Sequence, residues 1–119
     1  IAVFSSATAH SVYIDGGSVG NSAATSITLS GLNHIHVGAR YSAGVRGAFF
    51  DGQIAEVAVW NAALTAVDVS KLSRGFRPSL LRPQSLVFYA PLIREAVDLK
   101  DAPITISGAT AARHCRRVG

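Results

Sequence analysis

Several things are scarce in this 119-residue chain, and each scarcity excludes something. Charged residues make up 15% against 49% apolar, the reverse of the composition that keeps a chain disordered. No apolar run approaches the roughly 18 residues of a membrane-spanning helix. One cysteine, Cys115, can form neither an internal disulfide nor a structural zinc site. It is read as a free thiol or a link between two chains. Methionine is absent and the sequence starts at Ile1 without a charged leader. The expectation is therefore a processed protein or a piece of a longer one. Acids are missing from residues 102–119, which hold Arg113, Arg116 and Arg117. The net charge of +4 thus comes largely from a basic tail on a nearly neutral body. Nucleic acid is expected as a partner only through that tail.

The chain that remains reads as short strands punctuated by turn residues. Residues 1–4 form a short apolar strand, and Ser6-Ala7 a turn. His10, Val12 and Ile14 alternate with Ser11 and Tyr13 until Asp15-Gly16-Gly17, which tolerate the left-handed conformations of a sharp turn. Residues 18–25 are small and polar and read as a loop. Ile27 and Leu29 alternate with Thr28 and Ser30, and residues 32–37 form another strand closed by Gly38. Residues 40–47 read as a loop. A longer strand runs from Phe49 or Gln53 to Trp60. Both its faces are apolar except for Glu56, which predicts a place in the middle of a sheet covered on both sides. Residues 85–92 and 103–107 are the last strand candidates.

One helix is well signalled, over residues 66–74. Thr65 is a good N-cap, and Asp68 stands three residues later in the capping-box position. Leu64 and Val69 flank the cap as a hydrophobic staple, with Val69 and Leu72 toward the sheet. Gly75 stops the helix, and Pro78 prevents a restart. Many strands and one short helix predict an all-β sandwich or jelly roll.

Three segments carry a resemblance. They are Ser11-Val12-Tyr13-Ile14-Asp15-Gly16; the run from Phe50-Asp51-Gly52-Gln53-Ile54-Ala55-Glu56 through Val57-Ala58-Val59-Trp60-Asn61 to Ala62-Ala63-Leu64-Thr65; and the helix exit at Val69–Gly75 with Pro78 and the strand after it. Over residues 9–92 these resemble the laminin-G-like members of the concanavalin A-like lectin/glucanase superfamily. There a "YvDG" hairpin precedes an "F-x-G-x-I-D-E-V" strand that ends in an aromatic residue and leads into a short helix. The resemblance implies a concanavalin A-like jelly-roll sandwich of antiparallel strands. Residues 1–101 would form it, short of its front strands, and residues 102–119 a last short strand and the tail. Gly16 and Gly52 are expected at positive φ, Asn61 in an Asx turn, and Trp60 beneath the helix. Gly16, Gly52, Trp60, Thr65, Asp68 and Gly75 are thus fold-determining. The family's Asp before Glu56 is Ala55 here.

Few residues offer chemistry. Glycoside hydrolysis needs two carboxylates about 5–9 Å apart, and Glu56 stands alone with Asp51 five residues away. It is read as a half-buried carboxylate paired with an arginine or backbone N–H groups, and no catalytic residue is assigned. His34 and His36 share one side of a predicted strand, a spacing that can chelate a metal but lacks a third ligand. Gly16-Gly17-Ser18-Val19-Gly20 leads into no helix and is no phosphate cradle. Calcium is known in part of the resembled family, and Asp15 and Asp51 are its candidates; no other cofactor is expected. Tyr41, with Arg40 and Arg46, is the best candidate for holding a glycan. The expectation is a non-enzymatic binding or structural module of the cell surface, the extracellular space or a virus particle. It assembles with a protein partner or further copies of itself. The alternatives are a lectin-like carbohydrate-binding domain and, more remotely, a glycoside hydrolase.

Overall fold

A computed structural model describes residues 1–23, 26, 31, 34–92, 100 and 103–105. The expected strand at Ile27 and Leu29, the basic tail and Cys115 lie outside the described residues. Three antiparallel strands form the first sheet, β1 (Ala2–Phe4), β2 (His10–Ile14) and β3 (Gly17–Ser22), in the order β1-β2-β3. Asp15 and Gly16 make the β2–β3 turn with φ of 51° and 82°. Two successive left-handed residues match the twist of the strands they join. The Ser6 hydroxyl accepts from the Ala9 N–H at 3.0 Å and holds the bend between β1 and β2. The loop expected over residues 18–25 is therefore β3 as far as Ser22. All six of its residues are exposed, so pairing with β2 makes it a strand and no burial pattern announces it.

The loop expected over residues 40–47 is also corrected. It is a hairpin of β4 (Arg40–Ser42) and β5 (Val45–Gly47), turned at Ala43 and Gly44 with φ of 50° and 82°. Residues 34–37, expected in a strand, and 103–105 have no regular structure.

The long strand expected up to Trp60 is only β6 (Val57–Trp60), paired with β7 (Leu86–Ala90). Glu56, at φ 56°, interrupts extension before Val57. Among the described residues β6 pairs with β7 alone and Val59 is exposed, so β6 is not the covered central strand expected. The small sheets are antiparallel and accompanied by one short helix, α1 (Ala66–Ser73). They do not close into a jelly roll among the described residues.

Helix α1 forms as its signals predict. Thr65 Oγ1 accepts from the Asp68 N–H, and the Asp68 carboxylate accepts from the Thr65 N–H at 2.9 Å. At the exit Gly75 takes φ 86°, and the N–H groups of Gly75 and Phe76 bond the Leu72 and Lys71 carbonyls. This Schellman closure needs the left-handed residue that glycine supplies. Pro78 departs from expectation. It starts a 3-10 turn, Pro78–Leu80, because its fixed φ suits a first helical position. Gly52 departs too, having no positive φ. A Cβ there would meet the exposed Phe50 ring at 2.6 Å, so that ring would have to turn aside.

Val3, Leu64 and Val69 form the buried cluster, with Tyr13, Trp60 and Leu72 packed on it. Val69 is fully buried, and together with Leu64 it forms the staple across the cap. Trp60 donates its indole N–H to the Leu81 carbonyl at 2.8 Å, which fixes β6 against the start of the β7 segment.

Asp68 is held below the usual carboxylate range by the Thr65 backbone N–H, then by the Thr65 hydroxyl and Arg82, against the opposing effect of burial. A carboxyl whose folded value is lowered contributes stability that is present above about pH 4 and lost as pH falls further. Asp68→Ala should cost about 2 kcal/mol at pH 7. The gap between wild type and variant should narrow in thermal denaturation below about pH 4; a gap independent of pH would contradict this assignment. Gly16 sits where a Cβ would meet Ser73 Oγ at 2.5 Å. Gly16→Ala should lower stability by about 1–3 kcal/mol in urea denaturation, more than Gly20→Ala, where nothing lies within 4 Å.

Candidate functional site

A cleft of about 850 Å³ lies between the first sheet, β6 and the exit of α1. Its walls include Ile1 through Phe4, Tyr13, Ala58, Trp60, Leu72 and Phe76, with Asp15, Glu56 and Arg77 as its charged residues. One wall is a strand edge. Tyr13 and Ile1 exchange backbone bonds, and the Ser5 N–H bonds the Ala9 carbonyl. The register between them pairs Val3 with Ser11. By the alternation of an antiparallel ladder, Ile1, Val3 and Ser5 face β2 while Ala2 and Phe4 turn their N–H and C=O groups away from it. Among the described residues β1 ends its sheet on that side.

Glu56 lines the cleft just before β6. The Tyr89 hydroxyl donates to Glu56 Oε2. Tyr89 is itself almost wholly buried, so the carboxylate gives a buried phenol a hydrogen-bond acceptor. The sequence signal was present, in the apolar alternation of β7 with a tyrosine on it, but the two residues are 33 apart.

The second feature is the β4–β5 hairpin. Tyr41 stands opposite Arg46 in register, which puts their side chains on one face, whereas Arg40, the next residue, projects from the other. The His36 ring stacks on Tyr41 with centroids 4.6 Å apart and planes inclined by 14°. His34 continues the stack at 6.2 Å and 25°. The structure thus joins two residues considered as metal ligands to one considered for glycan contact. Asp15 belongs to the β2–β3 turn and Asp51 to the exposed stretch after Phe50. Among the described residues no three of His, Cys, Asp and Glu gather at a point where they could hold a metal. No helix of the described residues is long and apolar enough to cross a membrane.

Searches among curated proteins and among solved structures returned no match to the chain. A scan against family models did. Residues 1–70, from β1 to within α1, match Laminin_G_3, described as Concanavalin A-like lectin/glucanases superfamily. The match takes in the first two segments on which the resemblance rested, the Asp15-Gly16 turn and the run from Phe50 through Thr65, while Gly75, Pro78 and the strand after them lie beyond its end at residue 70. Because it spans more than half of the chain, the protein belongs to the concanavalin A-like lectin/glucanase superfamily, in its laminin-G-like family.

Proposed function

We propose that this chain is a non-catalytic binding and structural module that holds another polypeptide by strand addition along β1. The superfamily includes both glycosidases and non-enzymatic binders. The observation that carries the binding reading is the edge of β1 beside the cleft. Ala2 and Phe4 direct main-chain donors and acceptors away from β2, and the walls beside them are mostly apolar. An extended segment satisfies both demands at once, with its backbone on the edge and alternate side chains in the cleft. Further copies of the chain are the first partner to consider. Assembly of this kind suits a protein of the cell surface, the extracellular space or a virus particle. The carboxylates of the cleft support a non-catalytic role, since Glu56 is engaged by Tyr89 and Asp15 is part of a turn.

Sedimentation velocity tests the proposal. The wild-type chain should self-associate as its concentration rises. Ala2→Pro should remain monomeric, because proline removes only an N–H that points away from β2. A wild-type chain that stays monomeric throughout would contradict the proposal. So would a glycosidase activity abolished by Glu56→Gln.

A second reading, a lectin-like carbohydrate-binding domain, is favoured by the stack of His34, His36 and Tyr41. Tyr41 keeps about half of its surface exposed (51%), enough to lie against the apolar face of a sugar ring. Tyr41→Ala should remove saturable glycan binding while leaving self-association unchanged. An absence of wild-type binding across a broad glycan array would contradict this reading.

A further inference from the structure

We propose that the open edge of β1 in one copy of the chain is filled by residues 34–37 of a second copy, with Ile35 and Val37 entering the cleft. The proposal rests on the strand-addition reading and names the segment that is added.

Residues 35–37 form a length of strand without a sheet. Ile35 and Val37 are β-branched and two apart, a pattern that suits a strand, yet they belong to none of the three sheets. The neighbouring rings show the segment extended. The His34 and His36 centroids are 6.2 Å apart with planes inclined by 25°, close to the ~6.6 Å that two residues span along a strand. In a helix the two side chains would point about 200° apart. Ile35 and Val37 therefore project from the side opposite the imidazoles, where they keep 53% and 42% of their surface exposed. Among the described residues the main-chain groups of Ile35, His36 and Val37 bond to no other main-chain group. Gly38 ends the segment, turning at φ 75° and accepting from the Phe50 N–H at 2.8 Å.

The edge of β1 offers the complementary half. Ala2 and Phe4 turn main-chain groups outward, and Ile1 and Val3 line the cleft beside them. In an antiparallel pairing with His36 opposite Ala2, the two residues exchange both main-chain bonds. Ile35 then stands beside Val3 and Val37 beside Ile1, apolar against apolar at both positions. A shift of one residue would turn the imidazoles into the cleft instead. The Tyr41 ring lies with the imidazoles, on the side away from the cleft. Charge runs the same way, since the cleft sets Asp15 and Glu56 against Arg77 alone, whereas residues 34–50 carry Arg40 and Arg46 and no acid. The contact joins two different surfaces, so a copy whose edge is blocked can still donate its segment.

The test is complementation between two variants of the full chain, read by sedimentation velocity. Ile35→Asp removes the donated segment and Ala2→Pro the accepting edge. Each alone should self-associate about tenfold or more weakly than the wild type, the effect of one lost aliphatic side chain in the cleft or of lost edge bonding. Their equimolar mixture should form dimers and nothing larger, because one variant retains the segment and the other the edge. Val37→Asp should behave as Ile35→Asp does, and Val45→Asp, on the exposed hairpin (68%), should associate like the wild type. All of these positions are exposed, so the variants should keep the wild-type melting temperature. Wild-type association by Ile35→Asp and Val37→Asp overturns the inference and leaves strand addition at β1 intact. A mixture that stays monomeric also overturns it, since both substitutions then strike one symmetric contact. A wild-type chain that stays monomeric at every concentration overturns both readings.

Discussion

Asp68 Oδ2 accepts three hydrogen bonds, from the Thr65 N–H, the Thr65 hydroxyl and Arg82 Nε, the last at 2.7 Å. The first two fasten the start of α1, and the third draws in the segment that becomes β7. Leu81, the neighbour of Arg82, accepts from the Trp60 indole, so the end of β6 meets the same point. Val69, the residue after Asp68, is sealed beneath it against Leu64 and Val3. One side-chain oxygen thus coordinates elements that the chain separates, and the first sheet leans on them through Val3. The Arg82 side chain is partly exposed, so solvent screens the charge pair. The backbone and hydroxyl donors of Thr65 give the clamp most of its strength.

This clamp was legible in the sequence for a physical reason. A capping box, a staple and a glycine exit are local devices, each contained within a few residues. Thr65, Asp68 and Gly75 occupy the roles their spacing indicates. The turn at Asp15 and Gly16 was legible on the same grounds. What escaped was structure held by pairing without burial. β3, β4 and β5 expose almost every side chain, so no alternation marks them, although Ala43-Gly44 carried a usable turn signal. The early end of β6 escaped because left-handed Glu56 has no sequence signature of its own; its bond to distant Tyr89 appears only once β6 and β7 pair. Of the candidate site, Tyr41 and Arg46 were legible as residue types, but their shared face follows from a register that a loop reading cannot supply. The histidines were legible as a pair, but only the ring positions show their stack with Tyr41.

The molecule therefore presents two different surfaces on a fold whose motif is mainly architectural. One is a main-chain edge beside an apolar cleft, where strand addition by an extended segment is proposed. The other is an exposed hairpin face outside the buried cluster, where Tyr41 and Arg46 stand opposite one another. The first requires the clamp at Asp68, because the cleft walls are β6, α1 and the first sheet. The second depends on a turn and a ring stack, and can vary without disturbing the core.

The role of β1 is tested most directly by amide hydrogen exchange at neighbouring residues. Val3 faces β2 and Phe4 faces away. In dilute protein Val3 should be protected and Phe4 should exchange at close to the rate of an unstructured chain, and Phe4 should gain protection as the protein is concentrated and associates. A Phe4 amide as protected as that of Val3 in dilute monomer, or one that stays unprotected in the associated form, would contradict strand addition at this edge.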